Sequence, residues 1–263
     1  MARRVAVPLL LVAALGACGS SDGAPTGAPT SAPTGAPDAA RVLLFTRTEG
    51  FRHSSVEPAA QALTDEMEGR GWVVVTTDDP GVFTASRLAE LDTVVFLSTT
   101  GDVLDAPHEE ALRTWVEGGG GWVGVHAALD TEYGWPFYAT LAGARFARHP
   151  EPQGATVTVE DADHPGTAHL PTSWDRADEW YDTQTNPRGD VHVLATVDEA
   201  TYSGGSMGSD HPIAWCHRVG SGRSFVTALG HPDESWSDAA LVDHVAGGIE
   251  SVAAAVTDDP CGP

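Results

Sequence analysis

Residues 93–128 read TVVFLSTTGDVLDAPHEEALRTWVEGGGGWVGVHAA, and this stretch decides the fold. Residues 93–97 form a short unbroken apolar run, the pattern of a strand covered on both faces. Residues 106–117 have helical spacing, the glycine run 118–121 breaks it, and 122–125 is a second apolar run that ends at His126. Strand, helix and strand with short connections predict a parallel pair and a crossover helix. The same alternation extends upstream. It gives a strand at 42–45, a helix at 56–70 with Ser54 or Ser55 as its cap, a strand at 72–76, and a short helix at 84–91 capped by Thr84. The expected class is α/β, a three-layer, doubly wound, mostly parallel sheet. Downstream, strands are expected at 155–159 and 191–197. A hairpin joins 213–219 to 223–229 through Gly220-Ser221-Gly222, an amphipathic helix covers 238–255, and a frayed tail follows at 257–263. The irregular region 132–212 reads as insertions laid over the sheet, with no second domain boundary.

The chain has 263 residues, is 41% hydrophobic and carries a net charge of −23. That is enough apolar content for a sizeable core. Every basic residue is arginine, since lysine does not occur. So acidic a surface repels phosphate backbones and anionic lipid headgroups. Nucleic acid is excluded as a partner on this ground, whereas a neutral small-molecule carbohydrate meets no such repulsion.

The first residues read as an address. Arg3 and Arg4 precede an apolar stretch, 5–15, that is too short to span a bilayer as a helix but suits the core of an export signal. Leu15-Gly16-Ala17-Cys18 resembles the lipobox of bacterial lipoproteins, in which the cysteine is acylated and becomes the first mature residue. The expectation is a signal peptide at 1–17, lipidation at Cys18, and export to the outer face of the cell membrane, with membrane contact only through the lipid. Residues 18–39 contain GAPTGAPTSAPTGAP, which has nothing to bury and reads as an extended tether. The folded domain is expected at 40–256. Cys216 and Cys261 remain; export permits a bridge between them, but Cys216 lies in a strand pattern and reads most simply as a small core residue.

In a doubly wound sheet, ligands bind at the carboxyl ends of the strands. The loops there bring His53 after the first strand, His126 and Asp130 after the fourth, and His231 after the last. Histidine suits such a place because it exchanges protons near neutral pH and ligates metals. The sequence settles no cofactor: a divalent ion such as Zn²⁺ is compatible with these residues, but no His-Glu-x-x-His spacing occurs. His126 occupies an abrupt strand end between small residues, like the strand-to-helix elbow that presents a nucleophile. With histidine there, a serine- or cysteine-type acyl-enzyme route lacks its nucleophile. His149 and His164 each precede a proline and read as turn residues.

Gly50-Phe51-Arg52-His53, the run 118–128, Asp178-Glu179-Trp180-Tyr181 and PIAWCHRVGSGRSFVTALGH at 212–231 together resemble the ThuA-like, or trehalose utilisation, family. The resemblance covers about residues 41–255. It implies a class I glutamine amidotransferase-like (flavodoxin-like) fold and a part in breakdown of trehalose or related disaccharides through 3-keto-sugar chemistry. Matched position by position, it implies pocket roles for His53, His126, Asp130, Glu179, Tyr181, His217 and His231. The resulting expectation is acid–base chemistry of a hydrolase or lyase on a keto-glycoside. His126 would be the base, His231 or Glu179 the acid, and Trp135, Trp180 and Tyr181 the stacking surfaces for sugar rings. The alternative is a non-catalytic sugar-binding lipoprotein that delivers its ligand to a transporter, using the same pocket.

Overall fold

The computed structural model describes residues 39–253 and 259–262; Cys18, the signal segment and most of the tether lie outside these. The first half alternates as expected: β1 (Arg41–Phe45), α1 (Val56–Gly69), β2 (Val73–Thr77), α2 (Ala85–Leu88), β3 (Thr93–Leu97), α3 (Ala106–Glu117) and β4 (Gly121–Val125). Then come α4 (Pro136–Ala142), β5 (Phe146–Arg148), β6 (Gln153–Val159), β7 (Ser173–Asp178), β8 (Asp182–Thr183), β9 (His192–Val197), β10 (Pro212–Val219), β11 (Gly222–Thr227) and α5 (Ala239–Val252).

Nine strands form one sheet in the order β2-β1-β3-β4-β11-β10-β9-β6-β7, and β5 pairs with β8 separately. The three-layer, doubly wound α/β class is the one the chain adopts. Its parallel character is confined to β2, β1, β3, β4 and β11; from β10 outward all neighbours are antiparallel. The region 132–212 is therefore not laid over the sheet. It supplies β6, β7 and β9, which extend the sheet edgewise.

The glycines of Gly121-Trp122-Val123-Gly124 show why this strand reads as it does. A Cβ on Gly121 would stand 2.3 Å from the Val252 carbonyl oxygen of α5, and one on Gly124 would stand 2.5 Å from the Trp122 ring. One face of β4 thus meets α5 directly. On the other face the Trp122 indole folds across Gly124 and packs edge-on against Tyr138 of α4, at 5.6 Å between ring centres. At the caps, Thr84 accepts from the Arg87 amide as expected. Ser55 makes no side-chain capping bond, and Ser54 instead binds the Asp233 carboxylate at 2.6 Å.

The loops at the carboxyl edge are stitched to one another. The amides of Glu49 and Gly50 donate to the Thr100 carbonyl, the Gly101 amide to the Asp130 carbonyl, and the Glu132 amide to the Gly101 carbonyl. Ser98 and His126, each the first residue beyond its strand, have φ of 49° and 50°. Such left-handed backbone is costly outside glycine, so the elbow expected at His126 exists as a local strain held by its surroundings.

Residues 259–262, the described part of the expected frayed tail, are held in place. Cys261 is joined to Cys216 by a disulfide with Cα atoms 5.3 Å apart, so Cys216 is half of a bridge and not a lone core residue. Asp259 pairs with Arg218 and Arg223. The cysteines are 45 residues apart, and closing a loop of that size removes enough unfolded-chain entropy to stabilise by about 2–4 kcal/mol. Cys261→Ser should therefore lower the urea unfolding free energy by about that amount, and reductant should destabilise the parent but not the variant. An equal response of both to reductant would show that the bridge contributes nothing.

Behind the sheet, the Phe225 ring lies between the imidazoles of His164 and His244, at 5.8 Å and 5.3 Å. Burial depresses the pKa of His164 to about 4 and that of His244 to about 3. Below the ordinary histidine value of about 6.5 the unfolded chain takes up protons that the folded chain refuses. Stability should then fall as pH drops from about 6.5 towards 4, by up to about 1.4 kcal/mol per pH unit for each histidine. Urea titrations across that range test this; a flat profile would mean that neither ring is held neutral.

Candidate active site

His53, His126 and His231 come from three loops, and the structure brings them together. The His53 ring centre is 4.8 Å from that of His126 and 5.3 Å from that of His231. Glu179, just beyond β7, joins them: its Oε2 is 3.1 Å from His231 Nδ1 and 3.6 Å from His126 Nε2. His231 Nδ1 and His126 Nε2 are 3.3 Å apart.

Asp178 holds this arrangement together. Its buried carboxylate accepts from the backbone amides of Glu179, Gly230 and His231, and Arg176 pairs with it at 3.1 Å. One side chain thereby ties the end of β7 to the loop after β11, which sets Glu179 beside His231. The sequence marks this only by an acidic pair, Asp178-Glu179, that could equally lie on a solvated surface.

Above the cluster is a cavity of about 310 Å³. His53, Glu179 and His231 form its floor, and Asp130, His149 and Tyr181 line its walls, with Phe51 and Phe146. His126 is fully buried beneath the floor and does not line the cavity. Its Nδ1 is 2.9 Å from the Ala228 carbonyl oxygen. A carbonyl only accepts, so Nδ1 carries the hydrogen and Nε2 is the nitrogen that faces Glu179. In this geometry His126 cannot touch a substrate, which corrects its expected role as the base.

His149, whose place before Pro150 suggests a turn residue, is instead a functional candidate on the cavity wall. Its Nδ1 lies 3.0 Å from Glu179 Oε1 and 2.9 Å from the Pro150 carbonyl oxygen. Both partners are acceptors, so Nδ1 carries the hydrogen, and Nε2 is the nitrogen that presents a lone pair in the neutral ring. The side chain is 40% exposed, and the ring stacks on Tyr181 at 5.8 Å. Asp130 lines the cavity as expected and accepts from the Tyr133 hydroxyl at 2.8 Å.

Three expected site residues lie elsewhere. His217 pairs across the sheet with Ser224, which pairs with Trp122. That is four residues before His126, roughly 13 Å along the strand. Because β10 runs against β11, the end of β10 points to the opposite edge, where His217 Nε2 meets the Thr140 carbonyl oxygen at 2.8 Å and burial lowers its pKa. Trp135 is buried against Phe137 and Tyr138, and Trp180 is buried with its indole N–H on the Gln153 carbonyl. Neither can stack on a sugar. The exposed aromatic at the cavity is Phe51, at 69%.

The electrostatics are those of a caged ion pair. Burial pushes the Glu179 carboxyl up, but hydrogen bonds from His126 and His231 and the charge of those rings outweigh it and hold it well below the usual carboxylate range. The Glu179 hydrogen bond raises the pKa of His231 against its own burial. Burial, with the neighbouring imidazoles His126 and His231, lowers that of His53 to about 3. Burial, with Glu179 nearby, raises the Tyr181 phenol well above its ordinary value.

The site is thus a histidine–carboxylate cluster at the carboxyl edge of the parallel strands of a doubly wound α/β domain, with histidine and no serine or cysteine at its elbow. Residues 41–251 match the family model of ThuA, described as trehalose utilisation. The chain belongs to the ThuA family. It is similar to a ThuA-like protein from Bacteroides uniformis, with 25% identity and a TM-score of 0.67 over 83% of this chain and 94% of that one. A ThuA-like protein from Parabacteroides merdae is 19% identical, with a TM-score of 0.67 over 84% and 92%. A cytoplasmic protein from Salmonella typhimurium shares the fold at 13% identity and a TM-score of 0.57, over 81% and 99%. No curated protein matches the chain.

Proposed function

We propose that this protein is an exported, lipid-anchored enzyme of carbohydrate catabolism that cleaves a 3-keto disaccharide, of which 3-keto-trehalose is the first to test. The observation that carries this reading is the pairing of His149 with Glu179 on the wall of a sugar-sized cavity. A ketone at C3 acidifies the hydrogen on C2. His149 Nε2 removes it, with Glu179 and the Pro150 carbonyl oxygen fixing the ring's orientation through Nδ1–H. The electron pair from the C2–H bond expels the glycosidic oxygen from C1. The proton now on His149 passes to that oxygen, so one imidazole serves both steps, and addition of water to the unsaturated sugar completes hydrolysis. His53 and His231 on the floor face the oxygen on which negative charge gathers as the proton leaves, with His126 buried behind them. Phe51 and Phe146 offer the apolar faces a sugar ring stacks on; Tyr181, expected to stack, is buried against His126, Phe146 and His149 and backs them instead.

The test is incubation of the full chain with trehalose and with its 3-keto form, reading released glucose. Glucose from the keto form alone is the expected result. Binding of either sugar with no release would replace the enzyme with a sugar-delivery protein. Export is supported by the lipobox-like Leu15-Gly16-Ala17-Cys18 and by the Cys216–Cys261 disulfide, since such bridges persist in oxidising compartments. Cys18→Ser should move the protein out of the membrane fraction or block its processing; unchanged fractionation would remove the anchor.

A further inference from the structure

We propose that His126, His231, Glu179 and His53 hold one divalent cation of the zinc class at the floor of the cavity. The inference deepens the reading above and rests on it only for the ion's use, because the cation would lie where the substrate's ketone oxygen arrives.

The first ground is geometry. A tetrahedral ion bound through nitrogen and oxygen at about 2.0–2.1 Å needs donor atoms about 3.3–3.4 Å apart. His126 Nε2, His231 Nδ1 and Glu179 Oε2 form a triangle with sides of 3.3, 3.1 and 3.6 Å. His53 adds a fourth donor, all four lying within 4.8 Å of one another.

The second ground is an unpaired polar atom. His53 is one of the four residues of the cluster, and its Nδ1 is buried with no hydrogen-bond partner among the described residues. Buried polar atoms are rarely left unpaired, and a cation held by the cluster would give this ring a partner.

The third ground is the support behind the donors. Metal-binding histidines commonly give their other N–H to a carbonyl or carboxylate, and metal-binding carboxylates are themselves hydrogen-bonded. Ala228 does this for His126, and His149 does it for Glu179 through the oxygen not facing the cluster. Three imidazoles and one carboxylate suit Zn²⁺, Co²⁺ or Ni²⁺ and not Ca²⁺ or Mg²⁺. The other groupings of such residues lack these features. Cys216 and Cys261, beside His164, are spent on their disulfide. Asp182 and Glu199, beside His211, already accept from Ser206, Met207 and Gly208.

Cobalt reports the site directly. The full chain, stripped with a chelator and dialysed, is titrated with Co²⁺ while visible absorption is recorded. One equivalent should bind with the intense bands of four-coordinate cobalt, and Zn²⁺ should displace it. Loss of an outer-shell partner typically weakens metal binding 10–100-fold, so loss of a ligand in His126→Ala should weaken it at least about 100-fold. Should that buried substitution prevent folding, His231→Asn, with a side chain 27% exposed in the parent, replaces it. No uptake by the parent, a weak six-coordinate spectrum, or unchanged uptake by a folded variant overturns the proposal. Glucose release from the keto sugar without cobalt uptake removes the cation and keeps the enzyme; cobalt uptake without glucose release keeps the cation and removes the enzyme.

Discussion

Glu179→Gln should lower turnover of the keto disaccharide by about 10²–10⁴-fold, the range for loss of a working acid–base partnership. The substitution keeps the side chain's size and leaves sugar-contacting surfaces in place. It removes the charge that both oxygens distribute, one to His149 and the other to His231 and His126. His149 then loses the anion that favours its protonated form midway through the reaction. Steady-state glucose release gives the rate, and calorimetry with the unreactive parent disaccharide gives the affinity, which should change less than about tenfold. Glu179→Asp should not rescue activity, because a carboxylate one methylene shorter cannot span His149 and His231 at once. Parental turnover in Glu179→Gln would take this residue out of the chemistry.

Asp178→Ala should cost about 3–5 kcal/mol of folding free energy, the penalty for removing one partner of a buried ion pair. Arg176, with a side chain 6% exposed, would keep only the more distant, exposed carboxylate of Asp238 at 3.9 Å, and the amides of Glu179, Gly230 and His231 would lose their shared acceptor. In a domain of this size that corresponds to a fall in Tm of roughly 6–20 °C. Calorimetry at neutral pH measures it. A loss under about 1 kcal/mol would mean that solvent satisfies these groups and that the clamp is not structural.

Much of the fold was legible in the sequence because parallel strands buried on both faces are unbroken apolar runs. β3 and α3 stand where the pattern places them. β7 hid because its alternation runs through Asp175 and Arg176, charges that belong to surface loops in most contexts. α4 hid behind its opening Trp135-Pro136. For the site, topology alone predicts that residues following parallel strands share an edge, and His53, His126 and His231 do. His217 was misplaced because its strand runs the other way, and the apolar run 213–219 carries no sign of direction. Trp180 was misplaced because its burial depends on a partner distant in sequence, Gln153; Trp135 was misplaced because its packing on the neighbouring Phe137 and Tyr138 depends on which way the short helix α4 turns its rings. His149 was missed because a histidine before proline carries no mark of the carboxylate waiting across the cavity.

The two ends of the described chain leave the cavity edge clear. β1 begins at Arg41, and its first two residues are in register with the first residues of β2 and β3; the disulfide and the Asp259 pairs hold Cys261 beside Arg218 and Arg223, which pair with each other, Arg223 pairing also with Gly121. Both ends thus lie towards the start of the parallel strands, whereas the cavity opens at their finish. Grafting the domain to a bead or sensor chip through either end would therefore present the binding mouth to the bulk solution, and a capture assay built that way would read sugar binding without shadowing from the support.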